Sequence, residues 1–251
     1  LPLALGMTSE AIIAIAEFVK EGTIGLWILG ERSFTLSTPG IAKFDFYGHE
    51  FLRPYATFPH PNVLAGFMLI SICFLYQWFK GEGIMTKLAI LAGSISILLS
   101  MSRTAILTGF VAALFLAKKK WRIILLITTM MLSPILFTRF SSILNFDSLT
   151  LLRREELIDS AWQIFLKSPF YGVGLNNFIP VQASDLVVGP NRFLQPVHNI
   201  ILLILSETGI IGLAGFIYLV GMPIFRKPIL PWFIIIFLGM YDHYYVTLPL
   251  G

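Results

Sequence analysis

Apolar residues run in long stretches over positions 63–79, 85–102, 104–117, 123–137, 200–222 and 229–245, divided by short basic connections and two long mixed segments. Such stretches predict membrane helices, which need about 20 apolar residues to cross a ~30 Å hydrocarbon core. Several are shorter than that, so their ends and tilt stay open. Residues 85–117 as one helix would reach about 50 Å, too far for one crossing. The polar group Ser100-Met101-Ser102-Arg103-Thr104 offers a turn in the middle. Two helices are expected there, and at least six in all.

The mixed segments cover residues 1–62 and 138–197. Within the first, residues 9–21 predict a short amphipathic helix. Glu10, Glu17 and Glu21 fall within about 40° of one another, opposite an Ile/Ala/Phe face. Such a helix lies on the membrane surface or ends an upstream span. After Gly30 the chain is rich in Gly, Pro, Thr and Ser and reads as loop. Residues 151–167 predict a second amphipathic helix, ended by Pro169 and followed by the turn Gly172-Val173-Gly174. The expected organisation is an extracytoplasmic segment (1–62), four membrane helices (63–137), a large, partly helical extracytoplasmic loop (138–197) and two further membrane helices (198–251).

Composition agrees with an all-α, polytopic membrane protein. Of 251 residues 56% are hydrophobic and 13% charged, and the mean hydropathy is +0.80; soluble domains carry about a quarter charged residues. Disordered chains and water-soluble globules are poor fits. Residue 1 is Leu, no signal peptide is visible, and the chain stops at Gly251 soon after a polar cluster, so it reads as a fragment of a larger membrane protein and span counts are minimum counts. The lone Cys73 sits in an apolar run and says nothing of redox compartment.

The net charge of +4 matters through its placement. Lys80 and Lys87, then Lys118, Lys119, Lys120 and Arg122, then Arg226 and Lys227 occupy short connections, which are retained in the cytoplasm. Two helices between Lys87 and Lys118 put all three clusters on one side, and the long segments on the other. Arg53, His60, Arg103, Arg139, Arg153, Arg154, Arg192, His198, Asp242 and His243 then gather at the outer face, where any chemistry is expected.

His198 follows Pro196 and opens an apolar run, which places it in the first turn of a long helix. The positive helix end there disfavours an imidazolium, and a neutral imidazole suits a general base; it equally suits a plain interfacial helix cap. On the wheel of the 151–167 helix Arg154 shares a face with Leu157, Ile158, Ala161 and Phe165, while Glu155, Glu156, Asp159, Gln163 and Lys167 lie opposite and Arg153 sits on the flank. A guanidinium in an apolar groove needs an anion, either an acidic side chain or a ligand phosphate. Arg53 precedes a loop stiffened by Pro54, Pro59 and Pro61, with His60 and Asn62 at the helix start. Arg103 snorkels to the surface or serves as a second anion ligand. Glu207 lies on the face opposite His198, which favours a structural pairing with another helix, and Gly209, Gly212 and Gly215 read as close-packing positions. Asp242-His243 joins the site or anchors the interface. No metal motif, P-loop or dinucleotide fingerprint is present, so no metal and no cofactor are expected, and nucleic acid is not an expected partner.

Phe58-Pro59-His60-Pro61-Asn62, Ser102-Arg103, Arg154 with its amphipathic helix, Pro169-Phe170-Tyr171-Gly172-Val173-Gly174, and Val197-His198-Asn199 with Glu207-Thr208-Gly209 and Gly212 together resemble the O-antigen ligase and polymerase superfamily, in this order, from about residue 30 to 243. The resemblance implies a GT-C-like inner-membrane glycosyltransferase that moves a glycan from an undecaprenyl-diphosphate carrier to a glycan, lipid or protein acceptor at the outer leaflet, without a metal. It implies that His198 is the catalytic base and that Arg53 and Arg154 bind the diphosphate. Arg153 is the alternative to Arg154, and Arg103, Asn199, His60 and Asp242 are possible accessories. Family members usually have about ten or more spans, more than the six read here. The competing readings are a transporter, which would place polar groups at mid-membrane on broken helices, and a non-catalytic assembly subunit.

Overall fold

The structure is a computed structural model and describes residues 2–79, 83–116, 118–141, 149–185, 194–224 and 229–242. Lys80, Arg192, Arg226, Lys227 and His243, named above, lie outside these residues. The chain is mostly helical and divides into two compact units, residues 1–144 and 145–251.

The first unit holds α1 (Pro2–Lys20), a β-hairpin, α2 (Pro61–Phe79), α3 (Ile84–Leu99), α4 (Arg103–Leu116), α5 (Lys119–Met131) and α6 (Ser133–Ser141). Helix α1 begins well before the expected residue 9 and is long and apolar enough to cross a membrane. Its acidic residues do not form a wet face. Glu17 is fully buried, because its carboxylate faces backbone donors rather than solvent: Oε2 accepts the Tyr55 and Ala56 N–H groups at 2.7 and 2.8 Å. Glu10 takes the Thr57 N–H and hydroxyl at 3.2 and 2.8 Å. Helices α1, α2 and α3 meet at Gly93, where a Cβ would press on Met7, Ile72 and Met68 side chains.

Residues 43–52, expected as loop, form an antiparallel pair, β1 (Lys43–Phe46) with β2 (His49–Leu52), in the register Phe44↔Phe51 and Phe46↔His49. The two-residue turn Tyr47-Gly48 has both φ positive, 53° and 83°, the backbone whose twist matches paired strands. Phe44 and Phe51 stack at 5.3 Å, and Phe51 stacks on Phe18 of α1 at 6.3 Å. The hairpin therefore adds a small sheet to an otherwise helical chain.

The stretch 85–117 is two helices, α3 and α4, joined by the turn Ser100-Met101-Ser102. The stretch 123–137 is not one rod: α5 and α6 meet at a 67° bend. Pro134 lacks the N–H that would continue the helix and crowds the preceding turn.

The second unit holds α7 (Leu149–Lys167), α8 (Phe178–Asp185), α9 (Ile200–Ile224) and α10 (Leu230–Gly239). Leu157, Ala161 and Ile164 of α7 share a buried cluster with Phe178, Val197 and Leu203. Helix α10 meets the start of α9 at Gly239, where a Cβ would lie 3.0 Å from Ile200.

By length and composition α1 and Ile200–Met222 can cross a membrane, with a third candidate in the bent α5–α6 pair. Pro61–Gln77, Ile84–Leu99, Arg103–Phe115 and Leu230–Gly239 are apolar but shorter. Among the described residues two helices, or three if the bent pair is one span, are thus long and apolar enough to cross a membrane, alongside four shorter apolar helices.

Candidate functional site

In the second unit, Asn199 caps α9, its Oδ1 accepting the Ile201 and Leu202 N–H groups at 3.0 Å each. This is the preferred chemistry at a helix start, where backbone donors lack partners. His198 therefore stands just outside the helix rather than within its first turn. Its Nδ1 lies 3.7 Å from Asp242 Oδ1, too long for a direct hydrogen bond yet close enough for the carboxylate to stabilise a positive ring. Asn199 Nδ2 also donates to the Met240 carbonyl at 3.3 Å. The start of α9 and the end of α10 are thus tied at two neighbouring points, and both His198 and Asp242 are largely shielded. An imidazole beside a carboxylate can accept a proton and hold the resulting charge.

Arg154 lies one turn before Leu157 on the inner side of α7. It is half-buried, while Arg153 is exposed. Glu155, Glu156, Asp159, Gln163 and Lys167 are exposed as the wheel requires, although Ile164, not Ile158, completes the buried face. Among the described residues no ion pair or hydrogen bond engages the Arg154 side chain. The acidic-partner alternative for this guanidinium thus finds no carrier among the described residues.

Helix α9 is broken at Gly209, whose φ of 67° and ψ of −169° are not helical. The turn after α7 enters the break. Val173 and Gly174 N–H groups donate to the Ser206 and Glu207 carbonyls at 3.1 and 2.8 Å, and Ile210 and Ile211 N–H groups donate to the Pro169 and Phe170 carbonyls at 2.8 and 3.3 Å. Each segment satisfies backbone groups the other leaves open, which a break at membrane depth requires. A Cβ on Gly172 would overlap the Glu207 carbonyl, and one on Gly209 would overlap Phe170. Gly209 is at a close approach to Phe170, Gly212 lies against Thr208 of its own helix, and Gly215 has open space around it. Buried Glu207 accepts the Phe178 N–H at 3.2 Å, so its helix partner is the start of α8.

In the first unit, three guanidiniums converge on the α3–α4 turn. Buried Arg53 donates through Nε to the Ser100 carbonyl at 2.6 Å and through Nη2 to Asn62 Oδ1 at 2.6 Å. Arg139 of α6 donates through Nε to the Met101 carbonyl at 3.0 Å. Arg103 opens α4 and is near enough to Arg139 for their charges to act on each other. Met101 itself sits at a φ of 49°, a strained backbone for a side chain of this kind, and such strain gathers at functional positions. His60 caps α2: its Nδ1 accepts the Asn62 N–H at 3.1 Å, with Pro61 at the first helical position, where its missing N–H costs nothing. Tyr55 fixes the approach to this helix, its hydroxyl accepting the Ala42 N–H at 2.8 Å; burial raises that hydroxyl above its ordinary value near 10.

Sequence reasoning set Arg139 at the outer face with other polar residues but singled out no role for it. The only signal was a basic residue close after an apolar run, which reads equally well as a surface anchor. It also left open whether Asp242 belongs with His198. Among the described residues no group of three or more His, Cys, Asp or Glu side chains could hold a metal ion.

Neither the curated proteins nor the solved structures yielded a match to the chain. The family model described as O-antigen ligase matches residues 88–217. The matched span contains Arg103, Arg153, Arg154, His198, Asn199 and the Gly172–Gly209 crossing, and leaves Arg53, His60 and Asp242 outside. Because the match extends over more than half of the sequence, the chain belongs to the O-antigen ligase family.

Proposed function

We propose that the chain transfers a glycan from an undecaprenyl-diphosphate carrier to an acceptor hydroxyl at the outer leaflet of the inner membrane. The observation that carries this reading is the pairing of His198 with Asp242 at the capped start of α9, in a chain of this family. His198 Nε2 takes the proton as the acceptor oxygen attacks the anomeric carbon. The new carbon–oxygen bond forms as the bond to the carrier's phosphate breaks, and the diphosphate leaves on its lipid. Asp242 steadies the imidazolium, a placed base contributing roughly 10²–10⁴-fold. Arg154, half-buried and without an acidic partner among the described residues, is suited to the departing phosphates. The family resemblance assigns Arg53 the same ligand type. The associated topology has at least six crossings, with the long segments and the chemistry on the extracytoplasmic face.

The test is transfer of a labelled lipid-linked glycan by the full chain reconstituted in vesicles, with glycan, lipid and protein acceptors supplied in turn. His198→Ala should abolish transfer while leaving the protein folded, and Asp242→Asn should lower kcat more than it raises KM. Arg154→Lys should be impaired if bidentate binding matters, and a chelator should leave the rate unchanged. Normal transfer by a folded His198→Ala protein would overturn the mechanism.

A further inference from the structure

Between α1 and the hairpin the chain forms a closed loop. At its base the Thr23 N–H donates to the Phe34 carbonyl and the Leu36 N–H to the Glu21 carbonyl, each at 3.1 Å. Nearer its tip the buried Glu31 carboxylate accepts the Ile24 N–H at 2.6 Å and the Leu26 N–H. The tip, Trp27–Leu29, is a single 3-10 turn, with the Leu29 N–H on the Leu26 carbonyl at 2.9 Å. Trp27, Ile28 and Leu29 are 75%, 78% and 60% exposed. Three consecutive large apolar side chains are thus held outward by a fixed backbone. Apolar surface gathered in this way marks contact with a partner or a membrane.

The height of the tip along α1 decides between them. Glu10 holds the Thr57 N–H and hydroxyl, and it stands about 15 Å short of the end of α1. It is also only about 4.5 Å along the helix from Met7, which packs at Gly93 within α3. A Cβ on Gly30 would lie 3.8 Å from the Thr57 carbonyl. The loop therefore folds back alongside α1 rather than extending past its end. Helix α1 is long and apolar enough to cross a membrane, and Leu5, Ile12 and Val19, at a spacing of seven, leave an exposed apolar stripe up to its last turn. With α1 in a bilayer, the tip meets the boundary between head groups and acyl chains.

We propose that Trp27–Leu29 inserts into the phospholipid leaflet around the C-terminal end of α1 and anchors this loop to the membrane surface. The proposal is independent of the transferase reading. Tryptophan favours this boundary because its ring is apolar and its N–H reaches the polar layer. Ile28 and Leu29 supply purely apolar contact. Exposed Lys20 and Arg32 stand on either side of the tip in the chain, and their long stems allow the charges to rest among lipid phosphates.

The experiment uses the full chain in phosphatidylcholine vesicles, with Cys73→Ala so that a nitrobenzoxadiazole label occupies one chosen cysteine. Ile28→Cys reports on the tip, and Ser33→Cys, exposed nearer the base of the same loop, is the reference. Phosphatidylcholine with a spin label high on its acyl chain should quench the tip label and leave the reference nearly unchanged. Aqueous iodide should do the reverse, its quenching constant about fivefold lower at the tip, as for an apolar face sunk into the interface. Where a labelled variant fails to fold, the unlabelled chain in brominated phosphatidylcholine gives a second measurement. There Trp27→Phe should remove part of the fluorescence that bromines high on the acyl chain quench. Equal iodide quenching at tip and reference, or an unchanged quenched fraction in Trp27→Phe, would overturn the proposal. A tip label shielded from both quenchers would also overturn it, since protein would then cover the loop; recovery on diluting the chain in lipid would identify that cover as a second copy.

Discussion

Gly209→Ala is the most informative single change in this chain. The residue occupies a region of backbone space that is essentially restricted to glycine, and a side chain there costs about 1–3 kcal/mol. The new Cβ would also overlap Phe170 and stand 2.6 Å from the Tyr171 nitrogen, against 3.4 Å for ordinary contact. The turn must then retreat by at least about 0.8 Å, which carries the Ile210–Pro169 bond, now 2.8 Å, beyond hydrogen-bonding length and loosens Ile211–Phe170 with it. Each backbone bond lost contributes about 0.5–1.5 kcal/mol. The expected destabilisation is therefore about 2–6 kcal/mol. Gly215→Ala is the matched control: nothing lies within 4 Å of its Cβ, and Ala in a helix interior gains about 0.5–1 kcal/mol over Gly. Unfolding of both variants in mixed micelles should give shifts of opposite sign. Equal stability of the two would refute the crossed-backbone account of this region.

Glu17→Ala leaves the buried Tyr55 and Ala56 N–H groups without their acceptor and should cost about 2–5 kcal/mol, while Glu17→Gln, which keeps an oxygen, should cost less; denaturant titration compares them. Asn199→Ala should lose about 1 kcal/mol of helix capping and lower transfer by loosening His198, with Asn199→Asp retaining most of the stability. Tyr55→Phe removes the acceptor of the Ala42 N–H, at about 1–2 kcal/mol. Because burial raises the Tyr55 hydroxyl above its ordinary value near 10, the folded chain keeps a proton that the unfolded chain releases. Its contribution is complete below about pH 10 and is lost as pH rises above that. Melting at pH 7 and pH 10.5 should therefore show a smaller alkaline loss in Tyr55→Phe than in the parent.

Local pattern carried some of this architecture and missed the rest for identifiable reasons. The break between α3 and α4 was legible because a charged residue in a polar group interrupts a run too long for one helix. The α7 wheel was legible because charges fill one side, although Ile164 rather than Ile158 completes the inner face. The burial of Glu17 in α1 was missed because a glutamate in an apolar helix looks water-facing, and its true partners are amides 38 and 39 residues away. The hairpin hid behind Tyr47-Gly48, which lacks the Asn-Gly or Asp-Gly signature of such turns. The Gly209 break was invisible because a glycine in an apolar run reads as tight packing whether the helix continues or stops. Of the candidate site, His198 and Arg154 stood out by residue type and position. The approach of Asp242 to His198, 44 positions apart in the chain, and the meeting of Arg53, Arg103 and Arg139 at one turn are products of tertiary structure.

The interlocked backbones at Gly209 also bear on how the second unit moves. The half-helix over 200–208 has His198 at one end and the interlock at the other, and α7 runs from Arg154 to that same knot. Two arms pinned at a shared vertex swing as a splinted pair, so the imidazole cannot drift without dragging the arginine-bearing rod. Any opening of this unit must then tilt the whole wedge instead of unfurling a loop.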